Sequence, residues 1–233
     1  MDKQELLERY EALGEESDFV AAKPLYERAA AGEPDARVLS DYGYLLYAHA
    51  RRELRDAVEL YERAIELDPH LDKSHYQLIG ARAALEEPEL AVALYKRRLA
   101  ASPGELREHR FLAAAYLRAH AHEQALDTVA VGLELAPDDA ALVELRAEAR
   151  AGLGDVEGAL ADWRRALELD SESIGGLYMS AFLLEREGRL PEAADAWRAI
   201  IEWNEARGYT LQTKWPRQEL ERVVRRLRGK EEE

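Results

Sequence analysis

The chain has 233 residues, 47% hydrophobic and 34% charged, with a formal net charge of −15 and no cysteine. Disulfides and thiolate metal sites are thereby excluded, and the acidic balance disfavours non-specific binding to nucleic acid or anionic lipid. No apolar run is long enough to span a bilayer and the polar start, Met1-Asp2-Lys3-Gln4-Glu5, is unlike a signal peptide, so a soluble, cytoplasmic protein is expected.

Ala, Leu, Glu and Arg, all good helix formers, dominate the chain, and an all-α fold follows. A small–aromatic–small triplet at i, i+4, i+7 recurs along it. It reads Ala22/Tyr26/Ala29, Ala57/Tyr61/Ala64, Ala91/Tyr95/Arg98, Ala125/Val129/Gly132, Ala159/Trp163/Ala166 and Ala193/Trp197/Ile200. The first members lie 35, 34, 34, 34 and 34 residues apart. A fixed period near 34 marks a stacked array of helix pairs. The repeats fall at about 3–36, 37–71, 72–105, 106–139, 140–173 and 174–207, with a capping segment at 208–233, all within one domain.

Repeat one carries Tyr10 where its first helix should be small, and Pro24 within its second helix predicts a kink or a late start. Repeat two has about two extra residues around His49–Glu53, which predicts a longer turn or first helix. Repeat three places Arg98 at a small core position. Repeat four, with Val129 and Gly132, should be the loosest packed. In repeat five, Gly152-Leu153-Gly154-Asp155 forms the turn and Asp155 is the N-cap of the second helix. The first helices carry small residues at Gly43, Gly80, Ala113, Ala147 and Ala181, which face the alanine of the second helix and let the pair approach closely. Bulky residues such as Leu39, Leu46 and Leu184 fill the gaps beside them.

After Arg207 the period stops. Residues 208–214 read as a connection anchored by Tyr209 and Leu211. Trp215-Pro216 opens a last helix whose Leu220, Val223, Val224 and Leu227 form one apolar face, which Gly229 ends, with a disordered tail beyond.

Two helices per 34 residues, the recurring triplet and prolines at the repeat exits (Pro34, Pro69, Pro103, Pro137) resemble the tetratricopeptide repeat family, over about Lys3 to Arg207. The resemblance implies a right-handed α-solenoid superhelix whose first helices line a concave surface. Projected onto this chain, that surface carries Tyr44, Tyr47, Gln77, Arg107, Arg110, Glu144, Glu148, Tyr178 and Phe182. They would make an aromatic pad at each end with a basic and an acidic patch between; aromatics and Arg are the residue types that carry binding energy. The Lys, Asn and Arg set of chaperone-binding members is not matched: Leu7, Glu11 and Asp41 stand at those positions.

The remaining features indicate no chemistry. His120 and His122 lack the ligands of a zinc site, and His75 and His109 are expected to pack near repeat junctions. There is no phosphate loop, nucleophile elbow or zincin motif, so neither a cofactor nor a catalytic residue is assigned. Arg217, Arg222, Arg225, Arg226 and Arg228 make the last helix basic; pairing with nearby carboxylates is preferred to contact with nucleic acid. The reading is a non-enzymatic scaffold that binds a peptide or helix of another protein in its groove. The alternatives are a self-associating structural protein and contact of the basic helix with nucleic acid or an acidic partner.

Overall fold

A computed structural model describes residues 2–31 and 36–231. Among these the only regular secondary structure is helical. The helices are α1 (Lys3–Leu13), α2 (Glu16–Ala31), α3 (Ala36–Leu67), α4 (Asp72–Ala84), α5 (Pro88–Ala101), α6 (Leu106–Arg118), α7 (His122–Leu135), α8 (Ala140–Gly152), α9 (Val156–Leu169), α10 (Gly175–Arg186), α11 (Leu190–Ala206) and α12 (Lys214–Glu231). No helix among the described residues is long and apolar enough to cross a membrane. The chain divides into two compact units, 1–87 and 88–233. Pro34, one of the expected exit prolines, lies outside the described residues, as does the end of the tail.

One turn repeats between first and second helices. Glu86, His120, Gly154 and Gly188, each 34 residues after the last, take left-handed backbone conformations with φ of 64°, 55°, 83° and 72°. In each turn the next residue donates its N–H back to a carbonyl five residues earlier: Glu87 to Arg82, Ala121 to Tyr116, Asp155 to Arg150 and Arg189 to Leu184, at 2.8–2.9 Å. These bonds satisfy carbonyls that a helix end would otherwise leave orphaned. Asp155 then caps α9, accepting from the Gly158 N–H, as its position predicted.

Repeat two departs from this plan. Its two expected helices are one continuous 32-residue helix, α3, so the turn at His49–Glu53 is absent. Arg52 holds the place of the left-handed residue, amid Arg51, Glu53, Leu54 and Arg55. All are good helix formers with a steric cost in the left-handed region, and the helical ladder runs straight through. The Ala57/Tyr61/Ala64 triplet is consequently only half-buried, whereas Ala91/Tyr95 and Ala159/Trp163/Ala166 are buried. Leu39 and Leu46, expected to fill gaps between helix pairs, are exposed.

The cores are a series of local clusters. In residues 1–87, Leu6, Leu7, Tyr10, Phe19, Ala22, Tyr26 and Leu45 pack together. Tyr10 fits its unusual position by donating or accepting a 3.0 Å hydrogen bond with His49 and packing on Phe19. α2 begins at Glu16, so Pro24 lies inside it and does not delay its start. In residues 88–233, Ala113 meets Val129 and Leu142, Ala147 meets Ala159 and Trp163, and Ala181 meets Ala193 and Trp197. The small-against-small seam therefore holds in repeats five and six; in repeat four Ala113 packs on Val129, while Ala125 packs with Leu117 and Ala149. It does not hold at Gly80, which is exposed; 34 residues before Ala113 stands Ile79, which is buried. Gly43 is likewise open, because the second half of α3 never folds back over it.

Two further expectations change. Gly132 does not loosen repeat four: a Cβ placed there would lie 2.7 Å from Leu142 Cδ1, so Leu142 and His109 close over it. Arg98 enters its small position as an ion. Its guanidinium donates two hydrogen bonds to the buried Glu108 carboxylate, at 2.9 and 2.7 Å. His75 and His109, 34 residues apart, are buried as expected. Each donates from Nε2 to a carbonyl six residues earlier, Pro69 at 3.1 Å and Pro103 at 3.0 Å, and so ties the entry loop to the helix.

The cap also differs from its sequence reading. Leu211 is 88% exposed and anchors nothing, whereas Tyr209 packs its ring on Trp203 with centroids 6.0 Å apart; the buried residue is Thr213, whose hydroxyl donates to the Thr210 carbonyl. The last helix runs past Gly229 to Glu231. Its apolar face is as expected: Val223 is buried against Trp197 and Leu184, flanked by Leu220 and Leu227.

Candidate partner-binding surfaces

In residues 1–87, Tyr44 and Tyr47 both stand on α3 and are about half exposed. They line a cleft of about 370 Å³ with Tyr10, Glu11, Arg51, Arg52 and Arg55. Arg51 donates to the Tyr47 hydroxyl at 3.0 Å and to the Leu85 carbonyl at 3.0 Å, and lies over the Tyr47 ring. The Tyr10 phenol at the cleft edge is held above its usual pKa by burial, which Arg52 partly offsets. The three arginines were not anticipated as site residues, although Arg51 and Arg55 continue the Tyr44/Tyr47 stripe at helical spacing. Gln77 is exposed on α4 and does not join this cleft. At the repeat position of Arg110, Glu144 and Tyr178, α4 carries not Gln77 but the adjacent Tyr76.

In residues 88–233, all the remaining candidates but Arg107 fall in two series spaced 34 residues apart: Arg110, Glu144 and Tyr178, then Ala114, Glu148 and Phe182. Each series holds one position on α6, α8 and α10. Arg110 is not a free cation. It forms a two-pronged pair with Asp139, which also caps α8 through the Leu142 N–H. Arg107, one turn away, is half-buried. The predicted basic patch is thus reduced by its own carboxylate. Glu144 accepts a hydrogen bond from the Ser173 hydroxyl. Burial raises the pKa of Glu144, and the neighbouring Glu148 and Asp170 add to this while the Ser173 bond opposes it. Burial also raises Glu148, opposed by Arg118.

The aromatic end of this surface gains a residue from outside the repeats. Trp215, on α12, stacks on Tyr178 with ring centroids 5.7 Å apart and planes 17° from parallel. It also contacts Phe182 at 5.9 Å, and Trp197 stands edge-on beneath both Tyr178 and Phe182. Phe182 and Trp215 keep 43% and 45% of their surfaces exposed, enough to meet a ligand. No spacing rule links Trp215 to α10, so the pad was only half legible in sequence.

The basic character of α12 is largely neutralised within the protein. Glu185 accepts from Trp197 Nε1 at 2.9 Å and pairs with Arg222 and Arg226 at 2.9 and 3.2 Å. Arg217 pairs with Glu205. This is the carboxylate pairing preferred from sequence, and it locks the cap onto α10 and α11.

No protein-family model matches the chain. It is similar to TTC0263, a thermophilic tetratricopeptide-repeat protein of Thermus thermophilus, at 25% identity and a TM-score of 0.58. That likeness covers 78% of this chain and 95% of the Thermus protein. A further similarity, 30% identity over 130 residues, is to the human protein O-mannosyl-transferase TMTC1. It covers 56% of this chain but only 14% of the length of that much longer relative. The 34-residue period, the recurring left-handed turn, the alanine seam of repeats five and six and the likeness to the Thermus structure agree on an all-α helical-repeat fold of the tetratricopeptide kind.

Proposed function

We propose that this chain is a non-enzymatic adaptor that holds a peptide or helix of a partner protein. The observation that carries the reading is the pad of Tyr178, Phe182 and Trp215. Three large aromatics stand together with two of them nearly half exposed, an arrangement that solvation alone disfavours. The pad is held by edge-on Trp197 and by the Glu185 pairs, so little ordering cost falls on the receptor when a ligand binds. Glu144, Glu148 and the Arg110–Asp139 pair would flank the ligand, with Arg107 beside them. Tyr44 and Tyr47, and Gln77 separately, would offer further contacts on the other unit. The absence of cysteine suits work in the cytoplasm.

Selection of a displayed random-peptide library on the immobilised chain tests this. Enriched sequences should carry an apolar anchor and lose binding to a Tyr178→Ala, Phe182→Ala double variant that keeps its helical circular dichroism. Peptides that bind wild type and the double variant equally would overturn the pad as the site.

A further inference from the structure

The failure of α3 to fold back leaves a stripe along it that no described residue covers fully. Leu39, Leu46, Leu60 and Leu67 lie 7, 14 and 7 residues apart. They are 50%, 38%, 67% and 81% exposed. Between them, Gly43, Ala50, Ala57 and Ala64 recur at intervals of seven. Leucines and small residues therefore alternate at steps of three and four, which places them on one face of a helix about 48 Å long. Only Glu53 interrupts the leucine series. Leu45 faces the α1–α2 cluster and Val58 and Ile65 are buried on another face, so the stripe is separate from the surfaces α3 already uses.

The order of residues on the stripe is the same in both directions: Leu, small, Leu, small, Glu, small, Leu, small, Leu. An identical helix running antiparallel, with its two-fold axis between Arg51 and Arg52, sets every leucine from Leu39 to Leu60 against a small residue. Leu39 meets Ala64 of the second copy, Leu46 meets Ala57, and Leu60 meets Gly43. Leucine against glycine or alanine is a knob entering an open hole and allows close approach. The axis falls beside Arg52, the position at which four other repeats turn back. The first half of each α3 would thus cover the second half of the other, the contact that the missing hairpin denies it within one chain. The interface is isologous, which closes at two copies.

We propose that this chain forms a dimer through an antiparallel pair of α3 helices, with a second copy of itself as the occupant of the leucine stripe. This surface is distinct from the aromatic pad, so the dimer stands or falls independently of the adaptor reading.

Light scattering on the intact chain over a concentration series should give twice the chain mass. Leu60→Glu, at a residue already two-thirds exposed, should give a monomer with unchanged helicity. Glu53→Leu, which completes the leucine series, should lower the dissociation constant at least tenfold. Because the chain has no cysteine, the double variant Leu46→Cys, Ala57→Cys adds a direct readout. These positions are about 16 Å apart along one helix, beyond the reach of a disulfide within it. Oxidation should yield covalent dimers. A monomer at every concentration, a cross-link within one chain, or a Glu53→Leu variant no tighter than wild type would overturn the proposal.

Discussion

The guanidinium of Arg98 grips the carboxylate of Glu108 with two hydrogen bonds at a position where the neighbouring repeats carry only a small or apolar residue. Glu108 is 4% exposed, so the two hydrogen bonds from Arg98 stand in for the water its carboxylate has lost. Arg98→Ala should destabilise the protein by roughly 2–3 kcal/mol, somewhat below the cost of breaking a fully buried pair because Arg98 itself reaches solvent. Replacing Glu108 by Leu in the same variant should recover most of the loss. Urea unfolding of the two variants measures both effects.

Two glycines should respond oppositely to alanine. At Gly132 the new methyl would fall 2.7 Å from Leu142 and 3.2 Å from His109, both held in the core, and overpacking should cost roughly 1–3 kcal/mol. At Gly80, inside α4, nothing lies within 4 Å, and the better helix former should gain about 0.5–1 kcal/mol. Melting temperatures of the two variants give the sign directly.

Trp215 is the keystone of the aromatic pad. Trp215→Ala should remove one face of the Tyr178 stack and uncover Trp197, at a cost of about 2 kcal/mol. Tryptophan emission should shift to the red as Trp197 meets water. An unshifted spectrum would mean that Trp197 does not depend on this cover.

Glu148 and Glu144 set a pH dependence. Burial is the main cause that raises both carboxyls above their ordinary range. The folded chain therefore binds their protons more tightly than the unfolded chain. The penalty for burying the charged forms is absent at about pH 4 and below, and it appears as pH rises through the raised values. Glu148→Gln should accordingly melt higher than wild type at neutral pH, and the advantage should vanish in acid. Paired melts at the two pH values test the sign.

Much of the architecture could be read before any coordinates. The period, the helix pairs, the seam at Ala147 and Ala181, the cap on Asp155 and the burial of His75 and His109 all follow from spacing. Helix formation and stacking of like repeats are governed by residues three to eight apart, or by one fixed period, and a linear chain displays both. Gly80 misled by a single residue, since exposure of a glycine and burial of Ile79 are indistinguishable until the helix is rotated into place.

What the fold alone settled concerns which faces are covered. Whether His49–Glu53 turns or runs on depends on a balance between a helical ladder and a left-handed residue that Glu86 and His120 accept and Arg52 does not. Trp215 reaches Tyr178 across 37 positions of sequence, and Arg110 finds Asp139 across 29. Contacts at such separations are fixed by how helices pack, and that packing decided which aromatic stays open, which arginine is paired and which leucines remain bare.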